Sequence, residues 1–536
     1  MTAIADWTPE VWVLLSPLWI VCLTAVVILA LDLVVGARRV QWSVPALVGL
    51  AFAAAASLAR WQQPLPEVER VLGGAVRLDN LSVFLYLAII GCTALCLLAA
   101  ASYPENDLRR RAEFYVLALF SATGMMLLVS SGDLITMFLG LELLSFPIYV
   151  LCGYRRADIK SNEAALKYFI LGSFASSLFL YGVALLWGAT QTTSIAGLRA
   201  APGGPLFHLG ALLVLIGFLF KIGAAPFHMW VPDVYEGAPT PVSAFMVSGV
   251  KVAAFGAFVR VLLGAFGRDD MPYETVLWWL ACITMIVGNL SALTQENVKR
   301  MLAFSSVAHA GYMLVGLAAW AASPGDSGGA VAVLFYLLAY AAMNIGAFTV
   351  VALLARRAEG DLVFERDWGG VARRHPFLGL AMAVFMLGLG GIPPTSGFFG
   401  KYSLFKSAID AGLVGLVVVA VANSLVSVYY YLRVVVAMYM KPERRAEPGI
   451  LESLRAGRAY ALEGPGAMAA GSAEPEAAAL AASRPRLAEG GGWPAKLVVL
   501  VCLLATLWLG FGPSGGGLPG VSRLLQWAGQ AIASLH

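Results

Sequence analysis

Two lysines lie inside apolar runs, one on each side of a short turn. Lys221 is near the end of the first run, Lys251 is in the middle of the next, and His228 lies between them. Pro226 breaks the helix that carries Lys221, because proline has no amide hydrogen to donate. Ammonium groups are costly to bury in lipid, and beside a broken helix they indicate an ion path rather than a scaffold.

Each of these side chains also has a plainer explanation. Lys221 and Lys251 could extend to the membrane surface, and His228 could cap a helix or simply pack. A relay is favoured because burial disfavours the charged form of lysine and a nearby carboxylate restores it. An imidazole titrates near neutral pH, so His228 could pass a proton between the lysines.

A single carboxylate lies deep in the apolar sequence. Glu142 occurs in ITMFLGLELLSFPIYV and needs a nearby cation to stay ionised. Lys167, in NEAALKYFILGSF on the next run, is the predicted partner, because adjacent antiparallel helices can bring the two together. The pair is either a static contact that fixes helix packing or a switch whose opening acts on a neighbouring lysine. One interior carboxylate favours protons over sodium as the transported ion.

The second half of the chain repeats some of these features. His309, in KRMLAFSSVAHAGYM, could connect two halves of a path or be structural. Lys401 follows the Pro393-Pro394 break and is the matching carrier. A further set of four polar residues either lines an exit or packs in the interior. Its members are Tyr429, Tyr430, Tyr431 and Arg433.

The composition places the chain in a lipid bilayer. Of its 536 residues, 60% are hydrophobic and 13% are charged, against roughly 25% charged residues in soluble domains. Lipid cannot satisfy backbone polar groups, and the apolar runs lack the alternation of strands, so we expect an all-α integral membrane protein. The net charge of +4 is spread over loops and suggests no nucleic-acid partner.

The apolar runs predict about 14 transmembrane helices. They cover residues 11–35, 44–60, 79–102, 113–131, 134–152, 163–188, 207–230, 241–265, 274–294, 300–320, 329–355, 377–410, 412–440 and 494–512. The first ten residues, MTAIADWTPE, lack the basic start of a cleavable signal peptide. The segment after the last run is weakly amphipathic, and we expect it on the outer membrane surface.

Basic residues are concentrated in one set of alternating loops. That set contains Arg109, Arg110, Arg111, Arg155, Arg156, Lys299, Arg300, Arg373 and Arg374, among others. The loops at 323–328 and near 411, which belong to the opposite set, have none. Positive residues favour the cytoplasmic side, and an even number of spans then places both termini outside the cytoplasm.

The six cysteines give no sign of a bound redox group or metal. They lie in or beside apolar runs, and none forms a C-x-x-C ligand pattern. Five histidines leave little for a bis-histidine haem. We therefore expect neither a cofactor site nor a metal site in this chain.

Spacing and composition divide the chain into five parts. Residues 1–111 hold helices 1–3, residues 112–265 a five-helix repeat (helices 4–8), and residues 274–440 a second five-helix repeat (helices 9–13). An odd number of helices inverts the second repeat, and helices seven and twelve are the broken ones. Residues 442–492 are rich in Ala, Gly, Pro, Glu and Arg and predict a flexible cytoplasmic loop. Residues 493–536 hold the last helix and the tail.

Several of these motifs together resemble a known family. LGLELLSFPIYVLCGY, FKIGAAPFHMWVPDVYEGAPTPVSAF, NVKRMLAFSSVAHAGYM, GIPPTSGFFGKY and YYYLRV are similar to the antiporter-like membrane subunits of bacterial NADH:quinone oxidoreductase, respiratory complex I. The likeness covers roughly residues 75–440. Leu141 and Tyr235 resemble subunit N more than the related subunits L and M.

The resemblance implies a proton path and a set of partners. A glutamate–lysine pair matching Glu142 and Lys167 would modulate the central Lys221, and Lys251 and Lys401 would complete the path with the connecting His228 and His309. NADH, flavin, iron–sulfur clusters and quinone would bind to partner subunits. The expected partners are membrane-arm subunits such as M, K and J, within the bacterial plasma (inner) membrane.

Three functions remain open at this point. The chain is a proton-translocating subunit of NADH:quinone oxidoreductase, part of a stand-alone multisubunit cation/proton antiporter, or a purely structural membrane-arm subunit. The first is favoured by the density of the resemblance. Residues 442–492 depart from the family, whose connection there is shorter.

Overall fold

A computed structural model describes most of the chain. The described residues are 9–35, 41–61, 72–103, 111–266, 272–354, 365–442, 492–510 and 519–535. The loop predicted at 442–492 lies outside them except for its two end residues. The structure therefore leaves the prediction for this loop untested.

The described residues are almost entirely helical. The helices of the first half are α1 Pro9–Leu14, α2 Ser16–Val35, α3 Ser43–Leu58, α4 Asn80–Ala100, α5 Ala112–Val129, α6 Leu134–Cys152, α7 Ile159–Thr190, α8 Ile195–Ala200, α9 Pro205–Ile222, α10 Val231–Gly237, α11 Thr240–Phe245 and α12 Lys251–Val261. Two π-helical turns, Met246–Val250 and Leu262–Phe266, flank α12 and continue its span.

The helices of the second half follow after residue 272. They are α13 Tyr273–Leu293, α14 Val298–Ala322, α15 Gly328–Leu353, α16 Val371–Arg374, α17 Pro376–Gly390, α18 Ser396–Asp410, α19 Val414–Met440, α20 Trp493–Trp508 and α21 Pro519–Ala533, with a 3₁₀ turn at Glu365–Trp368. The all-helical membrane fold expected from the sequence is confirmed.

Within the described ranges, 11 helices are long and apolar enough to cross a membrane, and three shorter apolar helices, α3, α17 and α20, accompany them. These helices match the predicted runs one for one. The total of 14 crossings, the inverted repeats and the domain boundaries stay predictions.

The most buried spans lie at the centre of the bundle. The span Thr240–Phe266 and helix α14 are wholly buried in their most apolar windows, whereas only 22% of the window in α2 is buried. Helices that pack on all sides lack a polar face. The two central spans carry Lys251 and His309, so the bundle itself shields both side chains.

Both predicted helix breaks are present. Helix α9 ends one residue after Lys221, and Gly223 caps it in the left-handed conformation, with φ 71°. Helix α17 ends at Gly390, and α18 begins at Ser396. A Cβ atom at Gly397 would lie 1.8 Å from the Gly388 carbonyl oxygen, so the two half-helices approach this closely only with glycine.

A buried ion pair fixes the first helices to the central span. Arg260 donates to both carboxylate oxygens of Asp79, at 2.8 and 2.6 Å, and to the Val129 carbonyl at 2.7 Å. Asp79 also caps α4 by accepting from the Ser82 amide at 2.8 Å. A bidentate pair with this many additional hydrogen bonds compensates for the desolvation of both charges.

The tail forms a helix that packs against the bundle. Ala528, Ala531 and Ile532 of α21 are buried. The Trp527 ring lies 5.0 Å from the Trp61 ring, between centroids. These contacts join the tail to the bundle, and its predicted place on the outer membrane surface stays a prediction.

Candidate functional site

Four of the predicted residues are buried cationic or basic side chains. Lys221 and Lys401 are each 4% exposed, Lys251 is 3% exposed, and His309 is 1% exposed. Each has hydrogen-bond partners inside the protein, as a buried polar group requires. None of the four extends to the surface of the chain, which was the plainer alternative for the lysines.

Lys221 is bound to the helix that carries Glu142. Its Nζ donates to Ser145 Oγ at 2.7 Å. The rings of Tyr149 and Tyr168 lie 5.7 and 5.3 Å from Nζ, measured to their centroids, and present their π faces to the ammonium group. We call Glu142, Ser145 and Lys221 the Lys221 site.

Glu142 and Ser145 lie one turn apart on α6, on the same face. Asp133 caps the start of this helix by accepting from the Ile135 amide at 2.7 Å. Glu142 lies close enough to Lys221 for their charges to interact, although no hydrogen bond joins them. The buried Oε1 atom of Glu142 has no hydrogen-bond partner.

Lys167 does not pair with Glu142, contrary to expectation. Its Nζ lies 2.6 Å from Asp233 Oδ2 and 2.6 Å from Glu163 Oε1. Ring contacts set the alignment of the two helices: Phe138 lies against Phe179, and Tyr149 against Tyr168.

In this alignment, position 175 is opposite Glu142. Lys167 is eight residues away, or about 12 Å along the axis at 1.5 Å per residue. Helices α6 and α7 do lie side by side, as the sequence predicts. Their axial offset keeps Lys167 from reaching Glu142.

Lys167 belongs instead to a network at one end of the bundle. Arg300 Nη1 donates to Asp233 Oδ1 at 2.7 Å and to Glu236 Oε2 at 3.0 Å. Lys160 Nζ donates to Glu236 Oε1 at 3.0 Å. These pairs join helices α7 and α14 through the short helix α10. We call these residues, with Lys167 and Glu163, the end network.

The end network keeps its carboxylates ionised. Asp233 and Glu236 lie between the spans that end at Ile222 and begin at Thr240. Burial acts to raise the pKa of Asp233, but hydrogen bonds from Lys167 and Arg300 outweigh it and hold that pKa below its ordinary value. The pKa of Glu236 is lowered in the same way by Lys160 and Arg300, against the opposing effect of burial.

Lys251 follows a π-helical turn in the central span. Met246–Val250 forms the π turn, and Lys251 is the first residue of α12. Its Nζ donates to the Ser306 carbonyl at 2.5 Å and lies 5.4 Å from the centroid of the Tyr340 ring. π turns often occur at functional positions, because they redirect a side chain without ending the helix.

His309 bonds through both ring nitrogens. Nδ1 is 2.6 Å from the Tyr336 hydroxyl, and Nε2 is 3.0 Å from the Tyr431 hydroxyl. The Tyr431 hydroxyl also bonds Ser305, on the same helix as His309. The ring is therefore held in place from two other helices, α15 and α19.

Lys401 is held by the break that precedes it. Its Nζ donates to the carbonyls of Leu389 and Gly390 at 3.0 and 3.2 Å and to Ser424 Oγ at 2.9 Å. The two carbonyls end helix α17, where helical oxygens lack helical donors and attract cations. We call Lys401, His309 and their hydroxyl partners Tyr336, Tyr431 and Ser424 the Lys401 site.

His228 lies apart from these contacts. It is half-buried in the turn after α9, between the half-buried Phe227 and the exposed Met229. Its buried Nδ1 atom has no hydrogen-bond partner. A role for His228 between Lys221 and Lys251 stays a prediction that no described contact supports.

The four polar residues predicted near the second break separate into different settings. Tyr431 belongs to the Lys401 site, whereas Tyr430 donates to Asn289 Oδ1 at 2.9 Å. Tyr429 is 64% exposed. Arg433 donates to the carbonyl of Leu293, the last residue of α13, at 3.1 Å.

Sequence reasoning missed most of the neutral partners. Ser145 could have been found, because it lies one turn from Glu142 in the same apolar run. Tyr336 carries no such signal, because its run contains several aromatic residues. Within the described residues, no group of three or more His, Cys, Asp or Glu side chains could hold a metal ion.

A polytopic helical bundle with two broken helices and buried lysines beside them defines an antiporter-like membrane protein. The family of transmembrane subunits of NADH:quinone oxidoreductases and Mrp antiporters matches residues 131–427. This is more than half of the chain, and the chain belongs to that family.

Similar proteins indicate which group within the family this sequence resembles. NADH-quinone oxidoreductase subunit N of Trichlorobacter lovleyi is 47% identical over 402 residues, covering 74% of this chain and 80% of that protein. Subunit N of Myxococcus xanthus is 44% identical over 439 residues, covering 76% and 84%. The subunit N group is thus where this sequence lies within the family.

Solved structures agree with this placement. A chain of respiratory complex I from Thermus thermophilus superimposes with a TM-score of 0.72 and 35% identity, covering 92% of this chain and 96% of that one. A chain of the Mrp complex from Dietzia gives a TM-score of 0.76 at 23% identity, covering 97% of each. The Mrp likeness shows a shared fold alone.

Proposed function

We propose that this chain translocates protons as the N-type subunit of a bacterial NADH-quinone oxidoreductase. The observation that carries the proposal is the series of buried carriers, Lys221, Lys251, His309 and Lys401, each held by neutral oxygen atoms or hydroxyl groups. A buried lysine with neutral ligands can lose its proton, because no fixed carboxylate bonds to it.

The steps follow from the contacts of each carrier. Lys221 exchanges a proton near Ser145, and the charge of Glu142 determines how strongly Lys221 holds it. Lys251 passes a proton along α14 to His309, and Lys401 releases it beyond the second break. Lys167 takes part through Asp233 and the end network rather than through Glu142.

The wider setting is part of the proposal. The protein lies in the bacterial inner membrane, with the end network facing the cytoplasm and both termini outside. Membrane-arm subunits such as M, K and J are its neighbours. NADH oxidation and quinone reduction occur in other subunits, where flavin and iron–sulfur clusters bind, and this chain supplies the proton path of the translocase.

The test is Lys221→Ala in membranes that contain the assembled complex. We expect NADH-driven quinone reduction and proton uptake into inverted vesicles to fall together by at least about tenfold, because alanine removes the group that carries the proton. A tenfold loss corresponds to about 1.36 kcal/mol of barrier. Normal rates of both in assembled complex would refute the relay and favour a structural subunit.

Two further outcomes separate the alternatives. Loss of assembly in Lys221→Ala but not in Lys221→Arg would also indicate a structural lysine. Copurification of the chain with NADH dehydrogenase activity would exclude a stand-alone antiporter. Cation/proton exchange in a purified preparation that lacks this activity would contradict the proposed function.

A further inference from the structure

The two tyrosines on His309 have a geometry that packing alone does not require. Both hydroxyls approach the ring nitrogens, at 2.6 Å for Tyr336 and 3.0 Å for Tyr431, from two different helices, α15 and α19. Tyr336 and Tyr431 are themselves fully buried. We propose that Tyr336, His309 and Tyr431 form one proton wire in which the tyrosine hydroxyls are relay groups.

The imidazole in such a wire stays neutral. A neutral imidazole has one N–H donor and one acceptor nitrogen, so one tyrosine donates to His309 and the other accepts from it. The ring is 1% exposed, and its two hydrogen-bond partners are neutral hydroxyl groups. One N–H donor and one acceptor nitrogen account for both of these hydrogen bonds, so the neutral ring satisfies the geometry.

A proton can cross this arrangement without charging the ring. The hydroxyl that donates to His309 receives a proton on its oxygen and passes its own hydrogen to the acceptor nitrogen. The N–H on the other side of the ring gives its hydrogen to the second hydroxyl, which releases its own. One proton enters and one leaves, and the imidazole ends as the other tautomer.

The wire ends beside Lys401. A Cβ atom at Gly400, the residue before Lys401, would lie 2.2 Å from Cδ2 of the Tyr336 ring, so Tyr336 packs directly on this backbone. The Tyr431 ring lies beside Gly390, whose carbonyl accepts from Lys401 Nζ at 3.2 Å. At the other lysine, Lys251 Nζ donates to the Ser306 carbonyl, one turn before His309 on α14. These contacts place the wire between the two lysines.

The inference rests on the proposed function, and three tyrosine variants test it in the assembled complex. Tyr430→Phe is the matched control: it removes a buried, bonded hydroxyl next to Tyr431, but one that bonds Asn289 instead of His309. We expect Tyr336→Phe and Tyr431→Phe each to lower NADH-driven proton uptake at least about fivefold below this control.

The double variant distinguishes a relay from two packing roles. Links in one wire fail together, so Tyr336→Phe with Tyr431→Phe should pump no worse than the poorer single variant. Losses that multiply in the double variant would overturn the wire, as would single variants that match Tyr430→Phe.

Lys251→Ala in the same assay separates the two proposals. If Lys251→Ala pumps poorly while the tyrosine variants match their control, only the wire is wrong. If Lys251→Ala also pumps normally, the relay through the second half fails and the wire fails with it. Should one tyrosine variant fail to assemble, the other single variant against Tyr430→Phe decides the question.

Discussion

The Lys221 site and the Lys401 site each bury an ammonium group at a helix break, yet they surround it differently. At Lys221 the surroundings include a carboxylate, Glu142, and aromatic faces, with one hydroxyl as the direct partner. At Lys401 the direct partners are two backbone carbonyls and a hydroxyl, and the centroid of the Tyr312 ring lies 4.7 Å from Nζ. The first lysine has a carboxylate nearby whose charge can change, whereas the direct partners of the second lysine are all neutral.

The difference assigns separate roles to the two halves. A carboxylate can gain or lose a partner, and its charge then changes the proton affinity of a neighbouring lysine. Carbonyls at a helix end do not change charge, so they hold a constant environment for a proton in transit. In the proposed relay, the first half is therefore suited to control and the second half to conduction.

The largest difference between the Lys221 site and the Lys401 site is expected when the charge of Glu142 is removed. Glu142→Gln should lower proton uptake by about tenfold, because Lys221 loses the carboxylate that favours its charged form. Glu142→Asp keeps the charge and should retain most of the activity. Proton uptake and quinone reduction, measured together in inverted vesicles, test both variants. Equal activity of the two would show that charge at this position is not the controlling feature.

The two serines allow a matched comparison of the lysine partners. Ser145→Ala removes the hydroxyl that Lys221 donates to, whereas Ser424→Ala leaves Lys401 with two carbonyls. A typical hydrogen bond contributes about 1 kcal/mol net, and about 1.36 kcal/mol corresponds to tenfold in rate. We therefore expect about a fivefold loss for Ser145→Ala and about twofold for Ser424→Ala, because Lys401 keeps two partners. Proton uptake at fixed complex content measures both, and the reverse order would contradict the proposed contrast.

The sequence located the buried lysines and the breaks but not most of their partners. Apolar runs interrupted by lysine, proline and glycine are local features, so Lys221, Lys251, Lys401 and both breaks could be predicted. Partners depend on the rotation and axial offset of helices that are apolar on every side. Lys167 shows the consequence, because its helix is adjacent to α6, but the offset brings it to Asp233.

Two contacts could not have been inferred from spacing at all. The Asp79–Arg260 pair and the Asp233–Arg300 pair each join residues far apart in the chain, through helices whose order in space the sequence does not show. From the sequence alone, basic residues near the ends of spans predict loop charges that set the orientation in the membrane. In the folded bundle, some of them are partners for buried or half-buried acids.

The end network offers a smaller test of control in the first half. Asp233→Asn removes a partner of both Lys167 and Arg300, and we expect a stability loss of about 1 kcal/mol and at most about a twofold loss of proton uptake, since these groups are partly exposed. Lys160→Ala is the control, because it removes a network cation that does not bond Asp233. A large loss in both variants would assign the network a direct part in transport.

The same carboxylate predicts a pH dependence of stability. The pKa of Asp233 in the folded protein lies below its ordinary value, 3.8, despite burial, because of hydrogen bonds from Lys167 and Arg300. Its contribution is therefore present above that ordinary pKa and is lost as pH falls through the folded value. The thermal stability difference between wild type and Asp233→Asn should stay constant from about pH 6 to pH 8 and shrink below about pH 4. A difference that changed near neutral pH would implicate another group.

The smallest effect is expected at the C-terminal end of α18. Lys406 Nζ lies 2.5 Å from Asp410 Oδ2, with side chains 60% and 51% exposed. An exposed ion pair gains little, because water screens it and both side chains lose freedom. Lys406→Ala should leave proton uptake and assembly unchanged, while Lys401→Ala, only five residues earlier in the same helix, should abolish uptake. If Lys406→Ala also lowered uptake severalfold, conduction would continue along a charged exit, and fixed dipoles alone would not describe the second half.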